Sequence, residues 1–251
     1  MGFAVPADAY DRFMGRFSGP LAGVFADFAR VDGGSVLDVG CGPGALTGEL
    51  LRRGASVRAV DPSPSFVAAA RDRYPEARVR EASAEALPFD DQAFDAALAQ
   101  LVVQFMRSPA DGAAEMTRVV RRGGTVALCA WHRERGPLSV FWRAVESLRM
   151  HDGALPEDVH STGRRAGELD RLLCAAGLTD VVESLIEVPV VFDDLESWWA
   201  PFELGVGPPG DHVASLDHDA RARLRARCGE LLPPPPFEVL AVANAARGTR
   251  R

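Results

Sequence analysis

Residues Ser35 to Leu50 read SVLDVGCGPGALTGEL. The run Ser35 to Val39 reads as a buried strand, the glycines at 40, 42 and 44 as a tight turn, and Ala45 to about Arg53 as a helix. A glycine loop between a strand and a helix usually approaches an anionic ligand, because the helix N-terminus offers free N–H groups and positive potential. Asp38 stands two residues before the first of these glycines. A carboxylate there has the wrong sign for a pyrophosphate, so the segment poses the question of its own ligand.

The pattern continues on both sides. SVRAVD (Ser56 to Asp61) reads as a second strand, and Pro62 and Pro64 open a helix that runs to about Tyr74. ARVREA is a third strand and FDAALA (Phe94 to Ala99) a fourth, followed by a helix from about Pro109 to Val120. Gly123-Gly124 is expected to turn the chain into a fifth strand, TVALCA. Strands alternating with helices at this spacing predict an α/β fold with a doubly wound, mostly parallel sheet. Upstream, Tyr10, Phe13, Met14, Phe17, Leu21, Val24, Phe25 and Phe28 recur at helical spacing, with Pro20 expected to separate two short helices. Beyond Trp131 come helical patterns over Leu138 to Met150 and Ala166 to Ala176, and a longer strand over Val181 to Val191. An aromatic-rich segment, an arginine-rich helix (Asp217 to Cys228), a stiff four-proline connector (Pro233 to Pro236) and a last strand, FEVLAVANAARG, complete the chain.

Composition narrows the function classes. The 251 residues are 47% hydrophobic and 25% charged, an ordinary globular balance. A net charge of −7 argues against a nucleic-acid partner, which needs a basic face. No apolar run approaches the roughly 20 residues of a membrane span, and the N-terminus lacks a signal-peptide pattern, so a cytoplasmic location is expected. The four cysteines show no ligand-pair spacing, which predicts neither a disulfide framework nor a structural metal. All 28 basic residues are arginine. Without lysine there is no Schiff-base chemistry and no phosphate-binding P-loop.

VGCGPGA fits G-x-G-x-x-[GA] through Gly40, Gly42 and Ala45, and Asp61 follows about 20 residues later at the end of the second strand. That much equally fits a dinucleotide-binding fold, since an acid here accepts ribose hydroxyls in either case. Asp38 separates the readings. It would repel a pyrophosphate by roughly a kcal/mol even through water, whereas S-adenosylmethionine brings an ammonium, a sulfonium and no phosphate. As a bland alternative, Asp38 simply caps the following turn.

VLDVGCGPGALT resembles the first motif of class I S-adenosylmethionine-dependent methyltransferases, written E/D-x-G-x-G-x-G. RAVDPSPSFVAAAR looks like the second strand of that family, EASAEALPFDDQAFDAALAQLVVQF like the adenine-side loop and fourth strand of the branch that includes quinone-biosynthesis methyltransferases, and EMTRVVRRGGTVALCAW like the helix and fifth strand. The resemblance covers Tyr10 to about Trp131 well and the remainder loosely. It implies a Rossmann-like seven-stranded sheet with an antiparallel last strand, N-terminal helices and a cap in the C-terminal half. One methyltransferase domain over 1–251 is then expected: helices over 1–32, a cofactor-binding core over 33–131, acceptor-side segments over 132–180 and 192–236, and last strands over 181–191 and 237–247.

The resemblance also assigns candidate residues for S-adenosylmethionine. Gly40, Cys41 and Gly42 let the backbone approach it, Asp38 balances its positive end, Asp61 takes the ribose hydroxyls, and Pro62 packs near the adenine. Ser83 stands where relatives often carry an acid for the adenine amino group, and Ala84 offers a backbone N–H. Gln100 offers a carbonyl to the methionyl ammonium. YDRFMGRFS resembles a segment that closes over the cofactor, with Tyr10 covering the methionine end and Arg16 pairing with the carboxylate. On the acceptor side, Gln104 occupies the place of a histidine found in many relatives, and His132 follows the fifth strand. These two are the catalytic candidates, although glutamine cannot act as a base near neutral pH. HDGALPEDVH (His151 to His160) lacks metal-ligand spacing and reads as a polar loop, so no metal is expected. Trp198, Trp199, Phe192 and Phe202 read as the packing of the cap. The expected partner is a small-molecule acceptor, and the expected state a monomer or homodimer. An NAD(P)-dependent oxidoreductase of similar fold, and a catalytically silent S-adenosylmethionine-binding relative, are the alternatives.

Overall fold

Alternation of strand and helix governs the computed structural model, which describes residues 7–151 and 162–251. Seven strands form one sheet: β1 (Ser35–Val39), β2 (Ser56–Asp61), β3 (Arg78–Glu81), β4 (Phe94–Gln100), β5 (Val120–Trp131), β6 (Leu178–Phe192) and β7 (Phe237–Arg250). Their order is β3-β2-β1-β4-β5-β7-β6. The first five are parallel, and β7 runs antiparallel to both β5 and β6. The chain order reverses between β1 and β4, the place where an open α/β sheet makes a crevice at its carboxyl edge.

Period-two alternation sends side chains to two cores. On β4, Ala96 and Leu98 join Leu21, Phe25 and Leu50 on one face, while Ala97 and Ala99 join Met116, Leu169 and Leu173 on the other. The first face is covered by α2 (Arg16–Ala29) and α3 (Ala45–Arg52), the second by α5 (Pro109–Val119) and α7 (Glu168–Ala175). α4 (Pro64–Arg73) packs beside β2 and β3, with a proline in its first turn where the missing N–H costs nothing.

The N-terminal break differs from expectation. α2 continues through Pro20, and the irregularity lies earlier, in a π-turn (Asp11–Gly15) after α1 (Ala7–Tyr10). Proline inside a helix costs about 3 kcal/mol. Full burial of Leu21 and Phe25, with Phe17 nearly so, is worth about 1.5–3 kcal/mol each and outweighs it. A second difference lies at Gly123-Gly124. β5 begins at Val120, opposite Phe94, and a register shift brings Thr125 opposite Ala96, so the two glycines form an irregularity within the strand. β6 and β7 run longer than their apolar patterns because they pair along nearly their whole length.

Between the last strands lie α8 (Leu195–Trp199), a 3-10 turn (Ala200–Leu204), α9 (Gly207–Ser215) and α10 (His218–Leu231). Asp194 and Asp217 cap α8 and α10 by accepting from the N–H groups of Ser197 and Ala220. With α6 (Ser139–Ser147) they cover the crevice end of the sheet. Phe202 is the hub of this cap: it stacks on Phe141 at 4.7 Å and meets Trp198 at 4.8 Å and Phe13 at 5.2 Å. Trp198 and Trp199 are buried, so they are cap core. Among the described residues no helix is long and apolar enough to cross a membrane.

Candidate active site

A cavity opens at the carboxyl ends of β1, β2 and β4. Gly40, Cys41 and Gly42 line it, with Asp38 beneath them at the end of β1. Asp61 and Pro62 come from the end of β2, Gln100 from the end of β4, and Tyr10 from the N-terminal segment. Eight of the residues singled out in the sequence thus meet around one space.

The glycine loop is shaped by its neighbours. Gly40 sits at φ +71°, and a Cβ there would meet the Val102 side chain at 2.5 Å. The N–H groups of Gly40 and Cys41 both donate to the carbonyl of Val60, at 2.8 and 3.0 Å. Gly42 N donates to Asp61 Oδ2 at 2.9 Å, and Gly44 N to the Cys41 carbonyl at 3.0 Å. Pro43 has no N–H. From residue 40 to 44 every donor is therefore spent on the protein, so the glycine loop itself offers no free N–H group to a pyrophosphate.

The acids show the opposite imbalance. Asp38 Oδ2 accepts from the Thr47 hydroxyl at 2.6 Å, while Oδ1 is buried with no partner among the described residues. Burial pushes the Asp38 carboxyl up to about 7; the Thr47 bond opposes the rise and the charge of Asp61 adds to it. Gln100 Nε2 donates to the Ser18 carbonyl at 2.9 Å, leaving Oε1 buried with no partner among the described residues. Two acceptors without donors thus belong to the wall of one cavity. Such atoms are costly unless a ligand supplies N–H groups or positive charge. Asp61, also raised by burial, accepts from Gly42 N and, at 2.8 Å, from Ser63 N. Each of its oxygens keeps one lone pair for a hydroxyl.

Tyr10 closes one side, its ring 5.4 Å from that of Phe66. Burial, then Asp61 and Asp11, push its phenol up to about 12. Arg73 ties this segment to the glycine loop, with Nη2 on Asp11 at 2.6 Å and Nη1 on the Pro43 carbonyl at 3.2 Å.

A second cavity adjoins the first and shares Tyr10, Leu101 and Phe105 with it. Phe13, Trp131, Leu138 and Trp142 give it apolar walls, and Gln104 contributes an amide whose Nε2 donates to the Leu101 carbonyl at 2.9 Å. Arg133 and Arg164 also line it. Neither arginine was singled out in the sequence, nor was Thr47.

Four sequence candidates lie elsewhere. Arg16 Nη1 donates to the Ser197 carbonyl at 2.8 Å and its guanidinium lies 4.7 Å from the Phe192 ring, so it fastens the cap. Ser83 and Ala84 are outside both cavity walls; the Ser83 hydroxyl bonds Glu85, and Ala84 is buried in the second core. His132 lines neither cavity, and its Nδ1 accepts from Glu134 N at 3.2 Å. His151 is described, but the rest of HDGALPEDVH lies outside the described residues.

A family model described as "Methyltransferase domain" matches residues 37–128, the span from the glycine loop through β5. Over that span the chain belongs to the class I S-adenosylmethionine-dependent methyltransferase family. The chain is 38% identical over 125 residues to a malonyl-[acyl-carrier protein] O-methyltransferase of Salmonella typhimurium, covering 49% of this chain and 50% of the relative. It is 31% identical over 175 residues to a ubiquinone biosynthesis O-methyltransferase of Methylocella silvestris, covering 67% of this chain and 66% of that one. The chain thus spans half to about two thirds of the length of these relatives. Among solved structures, the YcgJ protein of Bacillus subtilis has a TM-score of 0.59 at 19% identity, with 92% of this chain and 97% of that chain covered, a likeness of fold.

Proposed function

We propose that this methyltransferase moves a methyl group from S-adenosylmethionine to a small-molecule acceptor, with the whole chain acting as one domain. One observation carries the reading: the first cavity has two buried acceptors with no donor among the described residues, Asp38 Oδ1 and Gln100 Oε1, and a glycine loop whose donors are spent. That polarity suits an ammonium-bearing ligand and disfavours a pyrophosphate, which also weighs against a nicotinamide cofactor. Asp38 and Gln100 would hold the ammonium, Asp61 the ribose hydroxyls, Pro62 the adenine side, and Tyr10 would cover the methionine end.

S-adenosylmethionine, when bound, supplies an electrophilic methyl carbon on a sulfonium. The protein's part is alignment, since an in-line displacement gains most from holding both reactants at the passage. Tyr10, Leu101 and Phe105 line both cavities, so their largely apolar surface is where the two reactants would meet. None of the three is a base near neutral pH, the Tyr10 phenol least of all. The acceptor is therefore expected to arrive as its own nucleophile, and Gln104 to orient it. The names of the relatives make an oxygen nucleophile the first to test.

Calorimetry with S-adenosylhomocysteine tests the cofactor assignment. Binding with a raised melting temperature is expected, and Asp61→Ala should remove most of the shift. Failure of both S-adenosyl ligands to bind would sink the proposal. Transfer of label from methyl-labelled cofactor into a metabolite extract separates an enzyme from a silent binder.

A further inference from the structure

The short segment Ala7–Gly15 is a wall of both cavities: Tyr10 and Asp11 line the first, and Tyr10, Phe13 and Met14 the second. The helix α4 holds this segment at two points. Phe66 and Arg73 stand seven residues apart on α4, about two turns along one face. The Phe66 ring lies 5.4 Å from that of Tyr10, and Arg73 Nη2 donates to Asp11 Oδ2 at 2.6 Å. Two consecutive residues of the segment are thus gripped by the two ends of one helix.

Arg73 also reaches a third element. Its Nη1 donates to the Pro43 carbonyl of the glycine loop at 3.2 Å, so one planar guanidinium joins residues that lie 30 and 62 positions away in the chain. The end of α4 that carries it is seated on the same loop: a Cβ on Gly44 would meet the Tyr74 ring at 2.6 Å, and one on Gly48 would meet that ring as well. Asp11 and Pro43 both line the first cavity, whereas Arg73 lines neither cavity. The guanidinium therefore acts from behind the wall, through two residues that form it. The pair is partly exposed, 43% for Arg73 and 31% for Asp11, so its share in global stability is small. Its weight is local, because lifting Ala7–Gly15 off the glycine loop breaks this bond while the core stays folded.

Resting on the methyltransferase reading, we infer that Arg73 is a positioning residue of the cofactor site. By tying Ala7–Gly15 to the glycine loop it closes the methionine end of the bound S-adenosyl ligand and slows its release. The same closure sets Phe13 and Met14 in the wall of the second cavity, so retention of the cofactor and completion of the acceptor wall share one bond.

The test follows the dissociation of S-adenosylhomocysteine and of 5′-methylthioadenosine, which lacks the amino-acid end, from the full chain by stopped-flow displacement. S-adenosylhomocysteine should leave Asp11→Ala and Arg73→Gln about fivefold faster than the wild type, the scale of one partly exposed ion pair. Release of 5′-methylthioadenosine from Asp11→Ala should be unchanged, since the segment covers an end that this ligand does not have. Arg73→Lys, which keeps the charge but not the fork, should recover part of the slow release. The double variant Asp11→Ala/Arg73→Gln should be no faster than Arg73→Gln alone. Unchanged release of S-adenosylhomocysteine in both single variants would overturn the inference. So would equal acceleration of the two ligands in Asp11→Ala, or additive effects in the double variant, which would mean that Asp11 meets the ligand independently of Arg73. Failure of S-adenosylhomocysteine to bind the wild-type chain would instead overturn the cofactor assignment, so the two failures are distinguishable.

Discussion

Binding of the cofactor should expel a proton from Asp38. Burial holds this carboxyl near 7 against an ordinary value of 3.8, so at neutral pH it is about half protonated before a ligand arrives. An ammonium set against the unpartnered Oδ1 favours the ionised form and returns the group toward the ordinary carboxylate range. The release on binding S-adenosylhomocysteine is then about 0.9 proton per site at pH 6, about 0.5 at pH 7 and about 0.1 at pH 8. Integrated over pH, the same linkage makes binding tighter by about two orders of magnitude at pH 8 than at pH 5. Calorimetric titrations in buffers of different ionisation enthalpy measure the proton number directly, from the slope of observed enthalpy against buffer enthalpy. Asp38→Asn should release none. 5′-Methylthioadenosine, which lacks the amino-acid end, should release none from the wild-type protein either. Tight binding of S-adenosylhomocysteine at pH 7 with no proton exchange, or a release that persists in Asp38→Asn, would refute the placement of the ammonium.

The same group sets a stability profile in the absence of ligand. Because its folded value lies above the ordinary one, the native state binds its proton more tightly. The contribution is present below about pH 4 and lost as pH rises through 7, a difference of about 4 kcal/mol. Urea denaturation should therefore show Asp38→Asn gaining on the wild type by about 2.5 kcal/mol between pH 5 and pH 8; a constant difference would count against it. Gly40→Ala should cost about 1–3 kcal/mol for φ +71° alone, with a further loss from the Val102 clash that Val102→Ala partly recovers in a double-mutant cycle. Of the four cysteines only Cys174 is exposed, so a thiol reagent should label one site quickly in the native protein and the other three only on unfolding.

Most of the sheet was legible because its signals are local. β1, β2 and β4 are short apolar runs bounded by glycine, proline or polar turns, and Asp38 and Asp61 stand at fixed offsets from the glycines. Where sequence reading went astray, a non-local term decided. Pro20 reads as a break, but the burial of Phe17, Leu21 and Phe25 against the sheet carries the helix through it. His132 reads as the residue at the tip of β5, yet Trp131 and Arg133, one step to either side, are the ones that line the second cavity. Consecutive residues of an extended chain face opposite ways, so an error of one position exchanges a cavity residue for one that meets its own turn. Arg164 lies far along the chain from any motif and reaches the site only through the fold, which joins it to Arg133. Thr47 was hidden differently: its place in α3 is ordinary for a threonine, and only the 2.6 Å bond to Asp38 gives it meaning.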